Sequence, residues 1–243
     1  MRLMIFVLMF KLAAHSVYGF DELVGAPPND DVIRRIAAFL PNNPVVVEGG
    51  TYDGTDTMEL AALLPNAKIY TFEPVPELFS RSVERFKQFN YKINSYNYAL
   101  SDRIGSSTMY LSEEESNPDI VSMSSSLLVP KEHLVYSPTT LFKKNILVRT
   151  TTIDNWAREN NIPVIDFLKL DIQGNELNVL KASLNILSTV KAVLMEVEFI
   201  EAYEGQFLFG DIKDWMEQQG FKLDCLYLNG CGWFGDALFI RKK

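Results

Sequence analysis

Residues 45–57 read Val-Val-Val-Glu-Gly-Gly-Thr-Tyr-Asp-Gly-Thr-Asp-Thr. Three β-branched residues in a row suit a buried strand, and the acid and paired glycines close it. A polar turn and a third glycine follow, and Thr55 or Asp56 stands where a helix cap belongs. A strand that turns through glycines into a helix is the first half of a βαβ unit.

Outward from this elbow the same rhythm repeats. Upstream, Val32, Ile33, Ile36, Phe39 and Leu40 have helical spacing, with Asn29 or Asp30 as cap and Pro41 as stop. Downstream, residues 55–65 predict a helix with Met58, Ala61 and Leu64 inward, and 67–74 a second strand. Residues 76–89 predict a helix facing inward with Leu78, Phe79, Val83 and Phe86, and 92–102 a third strand. Residues 146–160 predict a strand running into a helix capped by Thr152 or Asp154. A fourth strand is expected at 165–174, a helix at 175–187 with Leu177, Leu180, Leu184 and Leu187 inward, and a fifth strand at 190–199. A last helix at 210–220 leads into strands at 221–228 and 236–242, joined by a glycine-rich turn that predicts an antiparallel hairpin. The alternation implies an α/β fold with a mostly parallel, Rossmann-like sheet.

From Ser112 to Asn145 the alternation fails, and serines, prolines and charges surround short apolar patches. That length exceeds a plain connection, so 112–145 is expected to be a functional loop or lid, or a partly disordered insert. No repeat or linker divides residues 20–243, which are read as one domain. Residues 1–19 begin with a positive charge, continue with an apolar run from Leu3 to Phe10, and end in small residues. They fit either a short signal peptide or an apolar segment packed on the domain, and the run is too short to span a bilayer. The compartment follows the same alternative: cytoplasmic if the segment is retained, exported or secretory if it is cleaved.

The chain is 47% hydrophobic and 12% aromatic, enough for one substantial core, and its formal net charge is −8. A nucleic-acid binder shows a basic face, whereas the dense basic group here is confined to Arg241-Lys242-Lys243, so nucleic acid is not expected as a partner. Cys225 and Cys231, with no CxxC spacing and no nearby histidine, are poor metal ligands. They would pair in an oxidising compartment and stay as buried thiols in the cytosol.

In an open parallel sheet the ligand lies beyond the carboxyl ends of the strands. Those ends carry Glu48, Glu73, Ala99 to Asp102, Asp171, and Glu196 with Glu198. Such a row of acids is costly unless something cationic or rich in hydroxyls sits among them. A dinucleotide fingerprint needs glycines at i, i+2 and i+5 around a pyrophosphate, whereas the glycines here are 49, 50 and 54 and Glu48 would repel that anion. S-adenosylmethionine carries a sulfonium, an ammonium and a ribose diol, and no phosphate. An acid-lined elbow suits it, with Glu73 placed for the diol.

Seven stretches, in order from about residue 44 to 199, extend this match: VVVEGGTYDGTDT, IYTFEPVPELF, NYALSD, SMSSSLL, TTTIDNWA, FLKLDIQGNELNVLKAS and VLMEVEF. In them the chain resembles the FkbM family of S-adenosylmethionine-dependent methyltransferases. The most specific is KLDIQGNELNVLKAS, similar to the family's Lys-Ile-Asp-Val-Glu-Gly-x-Glu signature with its following Leu-x-x-Leu-Lys. The resemblance implies a class I methyltransferase sheet in which Glu48, Gly50, Thr51 and Gly54 line the methionine end of the cofactor. It further implies Glu73 at the ribose, Ala99 and Leu100 beside the adenine, and Asp171 near the sulfonium or the acceptor. The chain departs from the family at three places: Glu48 where Asp is common, Gly50-Thr51 where Ala-Asn is frequent, and Gln173 where Glu is usual.

The family's acceptors imply a hydroxyl on a small molecule or sugar, which needs a base within reach. Candidates are Asp171 at its strand end, then Glu176, then His133 in the insert. Glu176 also suits a first-turn helix stabiliser, and a lone loop histidine also suits plain solvation. The insert at 112–145 is expected to form the acceptor-binding lid. No metal is expected, with one of Glu196 and Glu198 functional and the other solvated. Two rivals are a catalytically silent exported or surface protein that kept the fold, which a signal peptide would favour, and a nicotinamide oxidoreductase, which the glycine spacing disfavours.

Overall fold

The computed structural model describes residues 23–25, 29–229 and 231–243, so the segment 1–19 lies outside the described residues. Twelve strands and eight helices are described. In chain order the strands are β1 (Leu23–Gly25), β2 (Val45–Gly49), β3 (Lys68–Phe72), β4 (Ile93–Tyr96), β5 (Ala99–Leu100) and β6 (Gly105–Glu114), then β7 (Asn117–Val121), β8 (Thr140–Thr151), β9 (Phe167–Leu170), β10 (Ala192–Glu198), β11 (Phe221–Leu228) and β12 (Phe234–Arg241). The helices are α1 (Asn29–Ala37), α2 (Thr55–Leu63), α3 (Pro76–Phe86), α4 (His133–Tyr136), α5 (Ile153–Glu159), α6 (Glu176–Lys181), α7 (Leu184–Leu187) and α8 (Phe209–Gln218).

The main sheet has eight strands in the order β1-β11-β12-β10-β9-β2-β3-β4. The run from β10 through β9, β2 and β3 to β4 is parallel, while β12 is antiparallel to both β10 and β11. The predicted C-terminal hairpin is therefore present as β11–β12. From β2 the chain winds outward to β3 and β4, and from β9 it winds the other way to β10. The order thus reverses between β2 and β9, where a doubly wound sheet opens a crevice for its ligand. One apolar layer, including Ile36, Leu60 and Ile69, fills one face, and a larger one, including Trp156, Leu168, Leu180 and Phe209, fills the other.

Several local expectations change on folding. The predicted third strand divides: β4 ends at Tyr96, and β5 joins a second sheet of order β5-β8-β6-β7. The Asn97 side chain fixes the break by donating to the carbonyls of Glu73 (2.8 Å) and Pro74 (3.0 Å). The 112–145 stretch is not a plain loop, since it carries the ends of β6 and β8, all of β7, and α4. Its sheet packs Ala99, Met109 and Val148, with Leu127 beside them, against Val75 and Leu78 of the main fold. The helix expected at 175–187 breaks at Ala182–Ser183, where Ser183 Oγ accepts from Ile153 N, and Leu184 turns out to 51% exposure. In α2 the buried side chains are Thr57, Leu60 and Ala61, and Met58 is only half-buried. Cys225 is buried and Cys231 exposed, with no bridge between them. Among the described residues no helix is long and apolar enough to cross a membrane.

The elbow after β2 explains its glycine. Gly50 has φ +87°, and a Cβ there would lie 1.8 Å from the carbonyl oxygen of Asp171. Parallel pairing of β2 with β9 also sets Glu48 opposite Lys169. Glu48 is fully buried, with Lys169 Nζ at 3.2 Å and the Thr57 hydroxyl as its second donor, and Lys169 also reaches Asp56 at 3.1 Å. Burial alone would lower the Lys169 pKa, but the carboxylates of Glu48, Asp56 and Asp171 outweigh it and hold the ammonium above its ordinary value.

Two stability measurements follow. Gly50→Ala is expected to lose about 3 kcal/mol or more in urea denaturation, because the clash is with backbone. Gly105→Ala, also at positive φ but with nothing within 4 Å, is expected to lose only about 1 kcal/mol. Lys169→Met leaves Glu48 buried and unpaired and is expected to cost about 3–5 kcal/mol, most of it recovered when Glu48→Gln is added.

Candidate functional site

The carboxyl ends of β2, β3 and β9 and the start of β5 surround one cleft of about 850 Å³, its open mouth included. The second sheet closes its side through Met109, Ser122, Met123, Ser125 and Leu127. The floor is built by the elbow after β2. Gly50 N and Thr51 N both point to the Phe72 carbonyl, at 3.1 and 3.3 Å, and Tyr52 takes a left-handed φ of 51°. That turn aims the Tyr52 amide at Glu73.

Glu73 is buried and held by backbone alone: Oε2 accepts from Tyr52 N at 2.8 Å and Oε1 from Val75 N at 2.9 Å. Burial pushes its pKa up to about 7, against the pull of those two amides. Each oxygen keeps a lone pair for a further donor. Thr51 Oγ1 is buried, lines the cleft, and has no hydrogen-bond partner among the described residues. Buried hydroxyls are generally paired, so this one is free to meet a ligand group.

Asp171 and Gln173 form the opposite wall. The turn after β9 bends sharply, with positive φ at Gln173 (56°) and Gly174 (91°). Gln173 Nε2 donates to Asp171 Oδ1 (2.9 Å) and to Glu196 Oε2 (2.6 Å), while the Tyr203 hydroxyl donates to Gln173 Oε1 (2.8 Å).

Of the residues anticipated from sequence, Gly50, Thr51, Glu73, Ala99, Leu100 and Asp171 all line this cleft. Four others lie outside its lining. Glu48 is turned away by Lys169 and Thr57, so its charge is spent inside the fold. Gly54 sits at the N-cap of α2, where a Cβ would meet the Phe86 ring at 2.7 Å. Glu176 is buried behind the wall, accepting from Ile172 N at 2.8 Å, and burial raises its pKa to about 8. It braces the turn that carries Asp171.

His133 is neither solvated nor in the cleft. It is buried among Phe142, Tyr203 and Trp233, with ring centroids at 5.3–5.6 Å, and burial lowers its pKa. Glu198, expected to be solvated if Glu196 was functional, is 1% exposed, and burial raises its pKa well above the usual range. Among the described residues no group of three or more His, Cys, Asp or Glu is arranged to hold a metal ion.

Sequence reasoning missed Lys169, whose signal was a lone cation inside an apolar strand. It also missed Tyr203 and the cleft-lining Tyr52, Asp56 and Asn175, which carry no local pattern.

The family model described as Methyltransferase FkbM domain matches residues 48–223. The 2-O-methyltransferase NoeI of Sinorhizobium fredii is 29% identical over 226 residues, spanning 92% of this chain and 91% of that protein. The hexuronic acid methyltransferase AglP of Haloferax volcanii is 25% identical over 167 residues, spanning 69% of this chain and 61% of that one. Among solved structures, an rRNA methylase from Streptococcus thermophilus matches with a TM-score of 0.52 at 13% identity, covering 90% of this chain and 98% of that one. A chain of a fibrillarin/Nop5p complex matches with a TM-score of 0.51 at 16% identity, covering 84% of this chain and 75% of that one. At such identities these two structures speak to the fold alone, a Rossmann-like methyltransferase sheet. With the family match covering most of its length, the chain belongs to the FkbM methyltransferase family and is an S-adenosylmethionine-dependent enzyme.

Proposed function

We propose that this protein transfers a methyl group to a hydroxyl of a carbohydrate or small molecule, with Asp171 receiving the hydroxyl's proton. The observation that carries this reading is the pairing, in one cleft, of a diol-accepting carboxylate at Glu73 with a second carboxylate at Asp171. The names of the two relatives, a 2-O-methyltransferase and a hexuronic acid methyltransferase, support oxygen on a sugar as the acceptor.

The donor's groups match the residues present. Glu73 would take the ribose diol, Thr51 Oγ1 and the Gly50 elbow the methionine end, and Ala99 and Leu100 the adenine. When bound, S-adenosylmethionine supplies an electrophilic methyl on a sulfonium; as oxygen bonds to that carbon the carbon–sulfur bond breaks, leaving a thioether and one proton. The chain's part is alignment and proton acceptance. Asp171 has Oδ1 engaged by Gln173, which leaves Oδ2 for the acceptor. The strip from Ser122 to Leu127 forms the mouth: Met123 is 73% exposed there, while the hydroxyls of Ser122 and Ser125 are tied to Ser112 and hold the strip in place. On this reading the acceptor-binding role expected of the insert falls to this strip.

A diol donates both its protons to the ionised form of Glu73, whereas burial favours the neutral form below about pH 7. Affinity for S-adenosylhomocysteine is therefore expected to tighten by about tenfold from pH 6 to pH 8, one pKa unit being worth a factor of ten. In Glu73→Gln it should be about 10–100-fold weaker and flat across that range, which separates Glu73 from Asp236 and Glu176, whose pKa values of about 6 and about 8 flank it. Calorimetric titration reads both.

Incubation with S-adenosylmethionine and a panel of neutral methyl glycosides and a glucuronoside, read by mass spectrometry, tests the acceptor class. Turnover of at least one glycoside at a hydroxyl is expected. Asp171→Asn should lower it by about 10²–10⁴-fold while leaving S-adenosylhomocysteine affinity within about threefold. Methyl transfer to none of these, or an asparagine variant of undiminished rate, rejects the reading.

A further inference from the structure

Gln173 stands between two acids, and its amide orientation follows from its neighbours. The nitrogen faces Asp171 Oδ1 and Glu196 Oε2, and the oxygen faces the Tyr203 hydroxyl. An amide nitrogen has two protons, so each carboxylate receives one. The backbone is locked as well, since the Gln173 carbonyl accepts from Ser126 Oγ at 2.7 Å. The two acids are thereby held as a pair at the edge of the cleft, Asp171 in its lining and Glu196 behind.

What surrounds the pair is almost wholly acidic. Glu198 shares β10 with Glu196, and Asp236 is its register partner on β12. Glu176 approaches from α6 and Tyr203 from the segment after β10, while the nearby cation, Lys169, is already engaged by Glu48 and Asp56. Glu198 Oε2, 1% exposed, has no hydrogen-bond partner among the described residues. Burial first, and then the charges of Asp171, Glu198, Glu176 and Asp236, raise Glu196 well above the usual carboxylate range. Neighbouring carboxylates at this spacing resist ionising together, so the cluster is disposed to retain a proton.

We propose that Gln173 joins Asp171 and Glu196 into a cation-for-proton exchange unit, in which entry of the cationic cofactor expels a proton from the pair and the acceptor hydroxyl later returns one. The charge in the cleft is then the same before and after transfer. A cation plus an ionised pair becomes a neutral thioether plus a pair that has regained its proton, with the carbon–oxygen bond formed and the carbon–sulfur bond broken. Gln173 is a positioning residue in this scheme: it bridges the two carboxylates through protons of its own and contributes no charge, which the glutamate usual in the family would. The inference rests on the cleft being the cofactor site.

Proton counting during binding tests it without any acceptor. Titrations of the full chain with S-adenosylmethionine and with S-adenosylhomocysteine, in buffers of different ionisation enthalpy at pH 7, give the protons released per ligand. The sulfonium ligand is expected to release more than the thioether, by about half a proton or more. Glu196→Gln should erase that difference while S-adenosylhomocysteine affinity stays within about threefold, and Gln173→Leu should diminish it. If Glu196→Gln does not fold by circular dichroism, the Gln173→Leu titration decides. Equal proton release for the two ligands in the unaltered protein, or a difference that survives both substitutions intact, overturns the exchange unit alone. Failure of both ligands to bind overturns the cleft assignment and the exchange unit with it.

Discussion

At the point where the sheet's order reverses, β2 and β9 lie side by side and point the same way, so the chain leaving each must turn within the other's reach. The turn after β2 passes so close to the Asp171 carbonyl that residue 50 has no room for a side chain. This contact fixes the distance between the two walls of the cleft. Thr51 and the Tyr52 amide are presented from one side and Asp171 and Gln173 from the other. Glu73 is held from the β2 side as well, through Tyr52 N, so three strand ends are registered to one another by a glycine and a few backbone hydrogen bonds. Such preorganisation is what an aligning catalyst requires.

The acids along the rim divide into three electrostatic solutions. Glu48 is neutralised by Lys169 and serves the fold. Glu73 is held by two amides that favour its charge, inside a burial that disfavours it. Asp171 and Glu196 share one amide side chain that donates to both. An acid row read only as a receptor for a cation overestimates the charge available, because one of its members already has a cation of its own. The remaining carboxylates still face the cleft or stand directly behind it, and Asp171 and Glu196 are paired through an uncharged Gln173 that adds no further charge of its own.

Much of this was written in the sequence, for identifiable reasons. Apolar runs ending in acids marked the parallel strands, and the glycine spacing separated a phosphate-free nucleoside from a dinucleotide before any coordinates were considered. The cleft positions of Gly50, Thr51, Glu73, Ala99, Leu100 and Asp171 followed from strand ends and family motifs, because both describe backbone location. What remained hidden depends on side-chain direction and on contacts distant in the chain. Glu48 looked like a cofactor ligand because Lys169, 121 residues away, is its neighbour only through sheet register. His133 looked titratable because nothing local reveals that Phe142, Tyr203 and Trp233 close over it. The second sheet was missed because β6 and β8 pair across the serine-rich stretch whose composition suggested a loop.

That second sheet also ties the mouth of the cleft to its wall. The strip at the cleft's mouth is bound to the Asp171 wall by two hydrogen bonds, from Ser126 Oγ to the Gln173 carbonyl and from the Tyr203 hydroxyl to the Ser124 carbonyl, each within 2.8 Å. The Tyr203 hydroxyl shares its one proton between the Ser124 carbonyl and Gln173 Oε1, and Gln173 orients Asp171. A change at 122–126 that moved the strip to admit a different acceptor would therefore pull on Asp171, the group proposed to accept the proton. Substitutions at Met123, whose side chain is exposed and makes no such bond, change the shape of the mouth without touching this linkage. Those at Ser124 or Ser126 alter the shape and disturb the contacts to Gln173 and Tyr203 together. Under the proposed function, acceptor choice and turnover are separable at one position of the strip and coupled at its neighbours.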